Sequence, residues 1–151
     1  MPVQPAVTPH TILLEGKLGE KMLEYYATAT LYPGHILEVI STGKVQKFGT
    51  TLKTYPKLIA LEDVLYNGRT INDAYAADDL VNVHVCQPGD LVYARVAAAA
   101  TAITIGARLK KAADGTLAIT TTAADDIFGY AEEALDNSAG GAEAFIRCRV
   151  A

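Results

Sequence analysis

The 151-residue chain has no tryptophan, two cysteines, three histidines and two serines, and each shortage closes off a class of chemistry. Cys86 and Cys148 make no CxxC metal spacing and are too few for a disulfide framework, so both read as small buried hydrophobes. His10, His35 and His84 do not pair at i, i+2 or i+4, and none is flanked by a nucleophile, so they offer no metal site. His35 reads as a turn residue and His84 as one on the polar face of a strand. Ser41 and Ser138 lie outside any nucleophile-elbow pattern. Basic charge is also short: 13 Lys and Arg against 17 Asp and Glu give a net charge of -4. That lacks the basic field on which phosphate binding relies and argues against nucleic acid. No run reaches the roughly 18 apolar residues of a membrane span. The opening Met1-Pro2-Val3-Gln4-Pro5 lacks the basic-then-apolar order of a secretion signal, so an intracellular origin is expected.

Half of the residues are hydrophobic and 20% are charged, a balance that folds instead of staying disordered. The length suits one domain. Pro2, Pro5 and Pro9 fix φ and remove donors, so the N-terminus should be extended; residues 1–30 are expected as an arm and 31–151 as the domain. From Thr11 to Tyr26, helical spacing at Leu14, Leu18, Met22 and Tyr25 or Tyr26 competes with strand or loop. Gly16 and Gly19 would each cost about 1 kcal/mol inside a helix.

Beyond this point short β-branched runs recur between turn signals: 36–41, 58–61, 80–86, 91–96, 117–121, 127–131 and 144–150. Seven short strands predict an all-β sandwich or barrel with little helix. Val81, Val83 and Val85 alternate with Asn82 and His84, and Ala144, Ile146, Cys148 and Val150 alternate with Phe145, Arg147 and Arg149, the period of half-buried strands. Pro33-Gly34, Pro88-Gly89 and Asp114-Gly115 supply turns. The stretches 32–39 and 87–94 echo one another as turn followed by strand, which duplication and repeated corner chemistry explain equally well.

Asp78-Asp79 and Asp125-Asp126 are the paired carboxylates that acid/base chemistry would use. Neighbours in extended chain point to opposite faces, however, and both pairs read as solvated acids beside strand starts. Gly140-Gly141 has no lysine after it and no phosphate-loop pattern. No catalytic, cofactor-binding or metal-ligating residue is therefore assigned, no cofactor is expected, and the chain reads as non-enzymatic. Charge order is the remaining feature. Lys44, Lys47, Lys53 and Lys57 precede an acidic stretch from Glu62 to Asp90, and Arg95, Arg108, Lys110 and Lys111 precede another from Asp114 to Glu143. Either these charges intermix on one folded surface, or they form complementary patches that set the register of head-to-tail subunits.

Leu61-Glu62-Asp63, the block Asn67-Gly68-Arg69-Thr70-Ile71-Asn72-Asp73-Ala74-Tyr75-Ala76-Ala77-Asp78-Asp79, Gln87-Pro88-Gly89-Asp90, Ala113 to Leu117, Ile127 to Ala131 and Arg147 to Val150 together resemble the head decoration, or cement, proteins of tailed bacteriophages. The resemblance spans roughly residues 58–151. It implies a small β-barrel or β-tulip-like domain, usually a homotrimer, that binds the major capsid protein on the outer surface of the mature virion capsid and clamps neighbouring subunits. It also implies synthesis in the bacterial host cytoplasm. Within the block, a short helical turn before Asn67-Gly68 is expected, with Tyr66 and Tyr75 packing it onto the barrel. A non-enzymatic oligomeric barrel holding a small ligand or carbohydrate is the alternative; it would need convergent aromatic and polar groups.

Overall fold

The computed structural model describes residues 9, 11–16, 22–49 and 56–151. Its architecture is all-β, as the turn-punctuated apolar runs predict: the described residues form eleven strands in two sheets, one α-helical turn and one 3-10 turn at Ala113–Gly115. β2 (Met22–Tyr26), β3 (Ile36–Val39), β4 (Val45–Lys47), β5 (Leu58–Ala60) and β6 (Leu80–Val85) form an antiparallel sheet in the order β2-β6-β5-β3-β4. A parallel bridge between Ala27 and Val45 brings the chain beyond β2 back to β4. β7 (Leu91–Val96), β8 (Arg108–Ala112), β9 (Thr116–Ile119), β10 (Gly129–Ala131) and β11 (Ala144–Val150) pair in the order β7-β11-β10-β8-β9, and one parallel pair, Val96 with Leu117, returns β9 to β7. β1 (Leu13–Glu15) adds antiparallel to β7. Each five-stranded circuit closes through a single residue pair, so neither is a fully laddered barrel.

The two circuits are the same unit built twice. In each, the second and third strands form a hairpin, the second also pairs the fourth, the fourth and fifth form a hairpin, the fifth pairs the first, and the first meets the third in parallel. Turn hydrogen bonds repeat, with their members in 31–48 recurring 72 residues later. Leu31 and Tyr75 exchange backbone bonds as Ile103 and Leu135 do, Gly34 N–H donates to Ala60 O as Gly106 N–H does to Ala131 O, and Phe48 N–H donates to Ile36 O as Thr120 N–H does to Arg108 O. Gly34 and Gly106 share a left-handed φ of +87° and +82°, a backbone state in which a side chain is costly, so glycine persists where almost nothing around it does. The echo of 32–39 in 87–94 is a different matter. The Pro33-Gly34 turn lies inside the first unit and corresponds to Ile105-Gly106, whereas Pro88-Gly89 joins β6 to β7 and so links the units.

The first unit carries an insertion. Leu61 corresponds to Glu132 at an offset of 71 and Tyr75 to Leu135 at an offset of 60, so 71 − 60 = 11 extra residues lie between them. They include the expected helical turn, α1 (Val64–Asn67), ended by Gly68 in a left-handed conformation. Tyr75 is fully buried and its Oη donates to Leu61 O at 2.7 Å, whereas the side chain of Tyr66 lies outside what the structure describes.

Strand alternation sends side chains into two cores. Leu37, Leu58, Ala60, Val81 and Val83 fill the first unit, while Ile36, Ile59 and Leu61 on the opposite faces join Val92, Leu109, Phe128 and Ile146 in a larger core that the units share. This two-sided covering corrects the reading of His84. Its face of β6 does not meet water: the side chain is buried, and Nε2 lies 2.7 Å from Asp90 Oδ2. Within Thr11 to Tyr26 the described residues include two strands, β1 on one sheet and β2 on the other, so these parts of the expected arm pair with the body of the protein. Residues 1–8 of that arm lie outside the described residues.

Candidate functional site

A dense polar cluster lies where the units meet. His35 closes the Tyr32–His35 turn: its backbone N–H donates to Tyr32 O at 3.1 Å, and its Nδ1 accepts the Tyr32 N–H at 2.9 Å. An amide N–H always donates, so the ring proton sits on Nε2, 2.9 Å from Glu143 Oε2 just before β11. Burial lowers the His35 pKa and outweighs the raising effect of Glu143, so the ring is neutral. Burial would by itself raise the Glu143 carboxyl, but the His35 hydrogen bond and the Arg95 charge hold it below its ordinary value.

Arg95, on β7, supplies that charge. Its guanidinium donates to Pro33 O (2.7 Å), Ile71 O (3.0 Å) and Glu143 Oε2 (3.3 Å), and it stacks between the rings of Tyr32 (5.1 Å) and Phe145 (4.5 Å). Tyr32, Pro33, His35 and Ile71 belong to the first unit, and Arg95, Glu143 and Phe145 to the second. Both ring nitrogens of His35 are engaged, so neither can take a proton from a substrate. The cluster is a joint between the units. Sequence reasoning placed Arg95 in a basic block and missed this role, although the signal was present: a lone arginine inside the apolar strand Leu91–Val96 must be paired once buried.

The other candidates occupy separate places. Asp79 accepts the Ala76 N–H and pairs with Arg69, while Asp125 accepts from Lys110 and Thr120; these contacts hold both carboxyls below their ordinary values, the reverse of what a general acid needs. Asp78 pairs with Lys44. Ser138 donates to Asp136 in an exposed turn, and Ser41 lies in the turn after β3. Cys86 and Cys148 are buried, as read from the sequence, and burial pushes both thiols up, Cys148 to about 12. No group of three or more metal-ligating side chains occurs among the described residues.

The ordered charge blocks meet within one chain. Lys44–Asp78 and Lys110–Asp125 each join a basic stretch to an acidic one, and Arg149 and Arg147 on β11 pair with Glu132 and Glu133 of the second acidic stretch. This is the intermixed surface and leaves Lys110 committed inside the molecule, while Lys111 lies over the Phe48 ring at 5.2 Å. Exposed large apolar side chains are few and concentrate partly on β2 and its partner. Leu23 is exposed, as are Tyr26 and the Leu80 paired directly opposite it.

No family model matches the sequence, and no curated protein matches it. Among solved structures, the chain is similar to the head fibre gp8.5 N base of bacteriophage phi29. The TM-score is 0.53 at 14% sequence identity, and the match covers 86% of this chain and 92% of that one. At this identity the likeness is one of fold, and it spans most of both chains.

Proposed function

We propose that the chain is a structural virion protein that binds the outer surface of a mature phage capsid as a trimer and stabilises the shell by clamping neighbouring capsid subunits. The observation that carries this reading is the fold shared with the base of a phage head fibre over nearly the full length of both proteins. The motif order over residues 58–151, which resembles head decoration proteins, points the same way from the sequence. A rigid joint such as Arg95–Glu143–His35 suits a clamp, because a load on one unit passes to the other without opening a seam. Each capsid contact can then be weak. Several made by one trimer must break together, and the shell gains by avidity.

The test is co-sedimentation of the purified protein with mature and immature heads of its own phage, with bound copies counted on a quantitative gel. Saturable binding to mature heads at a fixed ratio to the capsid protein is expected, together with slower loss of DNA from decorated heads on heating. Absence of binding to either form of head refutes the reading.

A further inference from the structure

The joint between the units seats a turn of one on a strand pair of the other. The Tyr32–His35 turn of the first unit lies against Arg95 and Phe145, which pair across β7 and β11 of the second. The approach is close: Arg95 N–H donates to Gly34 O at 3.0 Å, and a methyl group on Gly34 would come to 2.9 Å from Phe145 Cε1. Pro33, Gly34 and His35 are buried there, and Arg95 and Phe145 are 9% and 8% exposed.

The repeat supplies a second copy of each half of this contact. The turn recurs as Thr104–Ala107, where Ala107 N–H donates to Thr104 O at 3.1 Å as His35 N–H does to Tyr32 O. The receiving pair recurs as well. The parallel bridges Ala27–Val45 and Val96–Leu117 set β2 on β7 at an offset of 69, which puts Tyr26 in the place of Arg95 and its partner Leu80 in the place of Phe145. Both of these copies face solvent: Ile105 is 63% exposed, Tyr26 57% and Leu80 42%. Among the described residues nothing lies within 4 Å of where a methyl group on Gly106 would be. Large apolar side chains left in water thus stand where the protein's own internal joint has buried ones, and such exposed patches mark contact sites.

We propose that the Thr104–Ala107 turn of one copy docks on Tyr26 and Leu80 of a second copy of this chain, repeating between molecules the seat that Tyr32–His35 takes on Arg95 and Phe145 within one. Ile105 then meets Tyr26 and Leu80, an apolar contact where the internal joint has an arginine stacked between rings. Charge is complementary at its rim. Tyr93 and Ile36, which belong to the shared core in the internal joint, correspond to Glu24, exposed two residues from Tyr26 on the same face of β2, and to Arg108, directly after the turn. Turn and seat lie on different units, so the contact is heterologous, and it makes a ring where the rotation between copies closes. The proposal rests on the trimeric role put forward above and gives that association its contact.

Sedimentation velocity of the full-length chain over a concentration series tests it, and three copies are expected at the upper end. Ile105→Asp spoils the turn and Tyr26→Asp the seat. Both side chains reach solvent in the single chain, so neither change should alter the circular dichroism spectrum. Each should nevertheless raise the midpoint concentration of association at least ~10-fold, because the new charge would be buried without a partner. Equimolar mixing of the two variants at the upper end should give a 1:1 pair and nothing larger, since one keeps the seat and the other the turn. A wild-type chain that stays monomeric throughout, a variant that associates as the wild type does, or a mixture that forms no pair overturns the proposal. If Tyr26→Asp does not fold, the rim charges decide: Glu24→Arg and Arg108→Glu should each weaken association and together restore it, and a combined variant no better than either alone again overturns it. Co-sedimentation with heads separates the two readings. Association that these variants disrupt while the wild type ignores heads would sink the capsid role alone, whereas wild-type binding to heads with association untouched by the variants would sink only this contact.

Discussion

Arg95→Ala should be among the most damaging single substitutions in this protein. Arg95 is 9% exposed and satisfies two backbone carbonyls, Pro33 O and Ile71 O, that have no strand partner to take over. Leaving a buried acceptor unpaired costs about 1–3 kcal/mol, and the lost stacking on Tyr32 and Phe145 adds on the order of 1 kcal/mol. Glu143 also loses its cation, but its side chain is partly open to water and recovers some of its solvation. The expected loss is about 3–5 kcal/mol, the range for breaking a buried pair by removing one partner. In urea, with a slope of about 2 kcal/mol per molar for a chain of this size, the unfolding midpoint should fall by about 2 M. Arg95→Lys keeps the charge but not the planar fork that reaches two carbonyls and a carboxylate at once, so it should cost roughly half as much. A loss under about 1 kcal/mol for the alanine variant, or a lysine variant as stable as the wild type, refutes the joint. A double-mutant cycle with Glu143→Ala should show the two residues coupled, and additive losses would count against their acting together.

Three further outcomes follow from the geometry. His35 is folded with a lowered pKa, so the unfolded chain binds more protons as pH falls through about 6.5 and stability drops toward acid; His35→Asn, whose amide oxygen can still accept the Tyr32 N–H, should flatten that part of a stability-versus-pH curve while lowering it at neutral pH. Gly129→Ala would bring a methyl to 2.2 Å from Arg149 O and 2.7 Å from Cys148 Sγ; backbone cannot yield that far, and thermal denaturation should show a loss of at least ~2 kcal/mol. Cys86 and Cys148 should both resist a thiol reagent at pH 8 in the native protein and react at once in denaturant, and rapid native labelling of either would contradict the packed shared core.

The parts of the fold that showed in the sequence are those where burial is one-sided or the run is apolar throughout. β6, β7 and β11 announce themselves by alternation or by continuous β-branched residues. β8 did not, because Arg108-Leu109-Lys110-Lys111-Ala112 buries only Leu109 fully and sets the Lys111 ammonium over the Phe48 ring, so its charges hide its place in the sheet. β4 is three residues with one apolar side chain. β1 and β2 were masked by leucine spacing that fits a helix equally well until tertiary pairing decides. The repeat was illegible for a different reason: between 31–48 and 103–120 the identical residues are Gly34/Gly106, Leu37/Leu109 and Gly43/Gly115. What recurs is a set of backbone bonds, which almost any side chain tolerates, together with the positive φ angles that keep the glycines in place. The joint was hidden because its members, 32 to 35, 71, 95 and 143, meet only when the units dock.

The order in which the chain is made bears on the pairing of β1 with β7. Leu13 leaves the ribosome long before Val92, the residue beside which it must lie. At typical synthesis rates, roughly 5–20 residues per second, that interval is on the order of 10 s. The residues after β6 take a similar time to appear, and meanwhile the first unit can fold around Leu37, Val81 and Tyr75, but Ile36, Ile59 and Leu61 on its other faces have nothing to cover them. The nascent protein therefore passes through a half-built stage with a greasy flank and a loose leading segment. Selection against aggregation at that stage, and not only in the finished particle, bears on which side chains those positions tolerate.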